Sequence, residues 1–160
     1  MAETISFSIT ADRNALYDEI VPQIAVLISG ETDLIANLAN IAAVLKEAFG
    51  FFWVGFYLKK DGQLVLGPFQ GPLACTRINF SDGVCGHAFT TGQTVIVPDV
   101  DQFPGHIACA SASRSEIVVP IFSGDEVIGL LDVDSDKLED FSQLDAVGLG
   151  RIANLIEQIQ

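Results

Sequence analysis

Positive charge is what this sequence most lacks: 8 Lys and Arg stand against 21 Asp and Glu, for a formal net charge of −13. Such a chain repels a phosphate backbone or an anionic membrane surface, and no basic stripe interrupts the pattern, so neither nucleic acid nor a membrane is expected as a partner. Charge of either sign is sparse, at 18% of residues, against roughly 25% in an average soluble protein. With so few charges to coat a free monomer, a homodimer hiding one apolar face is expected. Long apolar runs are missing too. None approaches the ~18 residues that span a bilayer, and Met1-Ala2-Glu3-Thr4 has neither the basic start nor the apolar stretch of a secretory signal. Cysteine is limited to three residues, whereas a small secreted domain carries an even number locked in disulfides. A cytoplasmic location follows as the expectation, with thiols kept reduced unless they have redox or metal chemistry to perform.

Internal repeats, low-complexity tracts and linker-like stretches are also lacking. The 160 residues, 49% of them hydrophobic, suffice for one substantial core and are too few for two ordinary domains, so a single domain over 1–160 is expected. Residues 12–29 place Leu16, Ile20, Ile24, Leu27 and Ile28 at helical spacing, with Asp12 as N-cap, Gly30 as the stop and Pro22 as a point of kinking. A second amphipathic helix is expected from Asp33 to Phe49, closed by Gly50. The composition then turns aromatic and β-branched. Phe51 to Lys60 reads as a strand, and Asp61-Gly62 as the turn into Leu64-Val65-Leu66. Val95 to Val97, Ile117 to Phe122 and Val127 to Val133 read as further strands, the last two joined around Gly124-Asp125; a final helix runs from Ser142 to Gln158. Helices at both ends of a largely antiparallel sheet make the class α+β.

Between Pro68 and Arg114 lies a long stretch, rich in Gly and polar residues, that holds all three cysteines and both histidines. Loops of that length in a compact domain are usually functional or disordered. Ile78, Phe80, Phe89, Ile96 and Ile107 argue that this one is ordered and folds over the sheet. Cys75, Cys85 and Cys109 each have small or turn-forming neighbours. A single free cysteine is most simply a small buried hydrophobe, but three in one region favour a reactive thiol beside a resolving partner. Zinc is the competing use, with His87 or His106 completing a Cys₃His set. Cysteine gaps of 10 and 24 residues do not resemble the close pairs of structural zinc sites, so no metal is expected. Each histidine reads as a loop hydrogen-bonding residue, His106 being placed to help hold a thiolate at Cys109.

Three carboxylates complete the pattern. Glu116 opens an apolar strand, while Asp132 and Asp134 end another, two residues apart and therefore on one face. Solvated charges or helix caps are the simpler use for such residues. Crowded in a partly dry pocket they do more, because one pKa rises and a protonated carboxyl then donates at neutral pH. Thiols and acid together suit sulfoxide reduction: a thiolate attacks the sulfur as the oxygen is protonated, leaving a sulfenic acid that a second cysteine converts to a disulfide.

These residues resemble the free methionine-(R)-sulfoxide reductase family, a catalytic branch of GAF domains. The resemblance is carried by Phe52-Trp53-Val54-Gly55-Phe56-Tyr57, Gly67-Pro68-Phe69-Gln70-Gly71, Gly83-Val84-Cys85-Gly86, His106-Ile107-Ala108-Cys109, Ser115-Glu116-Ile117-Val118-Val119-Pro120 and Leu131-Asp132-Val133-Asp134-Ser135. It implies a six-stranded antiparallel sheet, helices on one face and site-covering loops on the other, often in a homodimer. It further implies Cys109 as the catalytic thiol, with Cys85 or Cys75 to resolve it. Glu116, Asp132 and Asp134 become ligands of the sulfoxide oxygen and the substrate ammonium, and Trp53 and Tyr57 an aromatic wall for the S-methyl group. The backbone N–H groups of Gly83 to Gly86, opening a helix-like segment from His87 to Thr91, would take the substrate carboxylate. A thioredoxin-type dithiol is the implied reductant, with no metal or organic cofactor. The alternative within the fold is a non-catalytic sensor of small ligands. The family typically has an acidic residue directly after the catalytic cysteine; here that position is Ala110.

Overall fold

The computed structural model describes residues 4–160. Helix α1 (Arg13–Ile28) starts on Asp12, whose carboxylate accepts from the N–H groups of Asn14 and Ala15, satisfying donors that the first turn leaves unpaired. It continues through Pro22 and closes on Ser29, one residue before the expected Gly30. Helix α2 (Leu34–Phe49) is capped by Asp33 and ends on Gly50 at φ +64°, a left-handed conformation that glycine adopts without steric cost. Helix α4 (Gln143–Gln158) opens with Ser142 and Asp145 in a reciprocal capping box.

Strands β1 (Trp53–Lys60) and β2 (Gln63–Gln70) form the first hairpin, turned by Asp61 and Gly62 with both φ angles positive. The expected strand start at Phe51 moves to Trp53, because Phe51 leaves the sheet to stack on Phe49 and pack near Phe141 in the core. Strands β5 (Ser115–Ser123) and β6 (Glu126–Ser135) form the second hairpin. The stretch expected as one long loop is broken by β3 (Arg77–Ile78), α3 (Gly83–Thr91), β4 (Val95–Val97) and a 3₁₀ turn at Val100–Gln102. These elements are too short for hydrophobic periodicity to stand out, and α3 carries glycines that a free helix disfavours. Packing explains them: Gly86 lets α3 lie against the preceding loop, where a Cβ would sit 2.8 Å from the Phe80 carbonyl oxygen.

The six strands make one antiparallel sheet in the order β3-β2-β1-β6-β5-β4. One face packs Val54, Phe56, Ile117, Val119, Leu131 and Val133 against the apolar sides of α1, α2 and α4. The other face carries Trp53, Tyr57, Val118 and Leu130, and α3 covers it with Val84, Cys85 and Ala88. This is the α+β arrangement expected, with the central strands β1, β5 and β6 presenting alternate residues to two different environments.

Candidate active site

Strand register gathers the acidic residues. Glu116 lies opposite Asp134, and Val118 opposite Asp132; on the other side of β6, Trp53 and Gly55 lie opposite Asp134 and Asp132. Side chains of cross-strand neighbours share a face, so the three carboxylates stand beside Trp53 and Tyr57 under α3. A Cβ on Gly55 would fall 2.7 Å from the Trp53 ring. The missing side chain leaves space for the indole, which stacks on Tyr57 at 6.2 Å and Phe69 at 5.4 Å between centroids. Its N–H donates to the Pro72 carbonyl.

All three cysteines reach this region, in different states. Cys75 and Cys109, 34 residues apart, are joined as a disulfide, and the Tyr57 hydroxyl donates to the Cys75 carbonyl at 2.8 Å. One ring of the aromatic wall thus anchors the segment that carries Cys75. Cys85 is free and buried in the first turn of α3, its Sγ 3.5 Å from Asp132 Oδ2 and 4.0 Å from Glu116 Oε1. Trp53, Tyr57, Cys85, Cys109, Glu116, Asp132 and Asp134 line one cavity, with a free volume of about 30 Å³, and Asp82 and Gly83 from the start of α3 line it as well. Helix α3 begins at Gly83 instead of His87, so its unpaired N–H groups belong to residues next to the chamber.

The electrostatics follow from burial without a counter-ion. Among the described residues the Lys and Arg ion pairs are with Asp140, Asp145, Glu126 and Asp18, none of them in the cavity. Burial, and then the neighbouring Asp132 and Asp134, hold Glu116 far above the ordinary carboxylate range. Burial and Asp134 do the same to Asp132. Asp134 is raised by burial to about 6, held back by the Ser113 hydroxyl that donates to it. Burial followed by Asp132 and Glu116 pushes the Cys85 thiol up, and burial with Asp132 raises Tyr57. The inner pair Glu116–Asp132 is thus shifted the more strongly toward its protonated form, and Asp134 the less.

His106 lines the same cavity, its imidazole pKa lowered by partial burial against the pull of Asp101. His87 sits outside it, edge-on to Phe103 beside an adjoining open groove. A Cys₃His zinc set is not what the fold assembles, since two of the sulfurs are bonded to each other. Ala110, directly after Cys109, lines the chamber as well. Ser113 was not singled out from the sequence, where a serine in a polar loop carries no distinguishing pattern; its tie to Asp134 depends on where β5 begins relative to β6.

The GAF domain family matches residues 30–159. The chain is 52% identical to GAF domain-containing protein A of Dictyostelium discoideum, over 98% of this chain and 99% of that protein. It is 42% identical to the free methionine-R-sulfoxide reductase of Escherichia coli, over 92% and 90% of the two chains. Its fold superimposes with a TM-score of 0.95 on the X-ray structure of free methionine-R-sulfoxide reductase from Neisseria meningitidis in complex with its substrate, at 57% identity, covering 98% of this chain and 94% of that one. On these grounds the chain belongs to the GAF-domain family and, within it, to the free methionine-R-sulfoxide reductases.

Proposed function

We propose that this chain reduces the sulfoxide of free L-methionine, acting on the R form at sulfur, with Cys109 as nucleophile and Cys75 as its resolving thiol. The observation that carries this is the Cys75–Cys109 disulfide beside a chamber lined by three carboxylates and two aromatic rings. In the reduced enzyme the Cys109 thiolate attacks the sulfoxide sulfur while the oxygen takes a proton from the Glu116–Asp132 pair. The hydroxyl so formed passes from the methionine sulfur to the Cys109 sulfur: the sulfoxide S–O bond and the new S–S bond break, methionine leaves as the thioether, Cys109 becomes a sulfenic acid, and a proton from solvent restores the pair. Cys75 then attacks the Cys109 sulfur, the S–O bond breaks, and the oxygen departs as water. One sulfoxide is thus reduced as two thiols are oxidised. A thioredoxin-type dithiol returns the disulfide to thiols by exchange.

Each remaining group has a task in this scheme. Ionised Asp134 pairs with the substrate ammonium, Trp53 and Tyr57 enclose the S-methyl end, and the first-turn N–H groups of α3 take the carboxylate. An ammonium and a carboxylate on the same carbon are features of a free amino acid, absent from an internal residue of a peptide. The protein works as a homodimer in the cytoplasm, consistent with its low share of charged residues. Among the described residues no helix is long and apolar enough to cross a membrane. A sensor role leaves the disulfide and the carboxylate set without a purpose.

The test is to incubate reduced protein with dithiothreitol and racemic free methionine sulfoxide, following each diastereomer by chromatography. The R form should disappear, and Cys109→Ser should lower the rate by about 10³-fold or more, as loss of a nucleophile does. Folded, reduced protein that leaves both diastereomers untouched would refute the proposal.

A further inference from the structure

The disulfide leaves Cys85 outside thiol exchange, yet its sulfur is the closest thiol to the inner carboxylates. Cys85 Sγ, a Glu116 oxygen and an Asp132 oxygen all lie within 4.8 Å of one another, and all three residues are buried. A tetrahedral zinc ion, ~2.3 Å from sulfur and ~2.1 Å from oxygen, holds such donors about 3.6 Å apart. The sulfur-to-oxygen distances here are 3.5 and 4.0 Å, so the trio needs only small adjustments to ligate.

A second observation points to a missing ligand. Asp132 Oδ1 is buried with no hydrogen-bond partner among the described residues, in a residue only 5% exposed. Native proteins satisfy nearly all such atoms, and an exception marks a site for an ion, a water or chemistry. The adjoining cavity, about 30 Å³, has room for a water as fourth ligand. No cationic side chain among the described residues forms an ion pair with these carboxylates.

We propose that Cys85, Glu116 and Asp132 form a binding site for a thiophilic divalent cation of the zinc type. The sulfur donor discriminates against magnesium and calcium, which prefer all-oxygen sets. The ion binds as the Cys85 thiol and the Glu116–Asp132 pair give up their protons to solvent, forming one sulfur–metal and two oxygen–metal bonds with no change of oxidation state. Because the functional scheme above uses the same two carboxylates for the sulfoxide oxygen, ion and substrate exclude each other; this consequence, unlike the site itself, rests on that scheme.

The experiment uses the oxidised protein, in which Cys85 is the sole thiol, titrated with Co²⁺ as a spectroscopic stand-in and then with Zn²⁺. One equivalent of Co²⁺ should bind, with a sulfur-to-cobalt charge-transfer band in the near ultraviolet and tetrahedral ligand-field bands in the visible, and Zn²⁺ should abolish both. Cys85→Ser should remove the charge-transfer band, and Asp132→Asn should weaken binding by at least about tenfold. Wild-type protein that binds no stoichiometric cobalt, binds it without the band, or keeps the band in Cys85→Ser would overturn the site. Wild-type spectra decide this even where a variant folds poorly. Free methionine sulfoxide should weaken cobalt binding; cobalt bound equally well in its presence leaves the metal site standing and counts against the carboxylates as sulfoxide ligands.

Discussion

The two faces of the central sheet are built from the same strands and have opposite energetics. On β6, Leu131 and Val133 point into the helix-covered core while Asp132 and Asp134 point into the chamber; on β5, Ile117 alternates in the same way with Glu116. The core face gains from burying apolar area, at roughly 25 cal/mol per Å². The site face buries carboxylates that have no cationic partner among the described residues, and burying a charge unpaired is costly. Holding protons reduces that cost, and in the scheme proposed above those protons pass to the sulfoxide oxygen. The fold thus supports its chemistry by placing a destabilising surface one residue out of step with a stabilising one.

The comparison breaks most clearly at Glu116. Glu116→Gln keeps the shape and removes the acid, so turnover of free methionine sulfoxide should fall by ~10²–10⁴-fold with no loss of thermal stability. A Tm that drops with activity would place Glu116 among the structural residues.

The converse substitution is Leu131→Ala on the opposite face. A fully buried leucine leaves a cavity, and unfolding in denaturant should show a loss of about 2–5 kcal/mol, with kcat per folded molecule unchanged. A variant of normal stability and impaired kcat would erase the division between the faces.

Asp134 sharpens the comparison through pH. Its folded-state pKa is raised to about 6 from an ordinary 3.8, so the folded state holds this proton more tightly than the unfolded chain. That contribution to stability is present in full below about 3.8 and is lost as pH rises through about 6. Asp134→Asn removes the titration. Relative to wild type it should gain stability as pH rises from about 4 to about 6 and hold that gain above. A stability difference that is flat over this window would show that Asp134 is not desolvated.

Much of this division was legible in the sequence because it rests on local rules. Period-two alternation placed Asp132 and Asp134 together, cap residues located α1 and α2, apolar spacing located α4, and the Asp61-Gly62 pair marked the first hairpin. The segment from Pro68 to Arg114 was not legible in the same way. Its elements are β3, α3 and β4, too short for periodicity, and α3 opens with Gly83-Val84-Cys85-Gly86, which reads as a turn until packing against Val118 and Leu130 is known. The hydrogen bonds Tyr57 to Cys75 and Ser113 to Asp134 connect this segment to the sheet. Both depend on tertiary register, which no single stretch of residues encodes. The pairing of the thiols belongs to the same class: the family resemblance left Cys75 and Cys85 as alternatives, and only the fold brings Cys75 to Cys109 while turning Cys85 toward Asp132.

That pairing is the centre of the account, and a single turnover tests it most directly. Fully reduced protein, freed of dithiol, is mixed with one equivalent of free L-methionine (R)-sulfoxide, blocked with an alkylating agent and mapped by peptide mass spectrometry. The account predicts Cys75 linked to Cys109 with Cys85 alkylated; a Cys85–Cys109 link, or three alkylated thiols after methionine has formed, would contradict it.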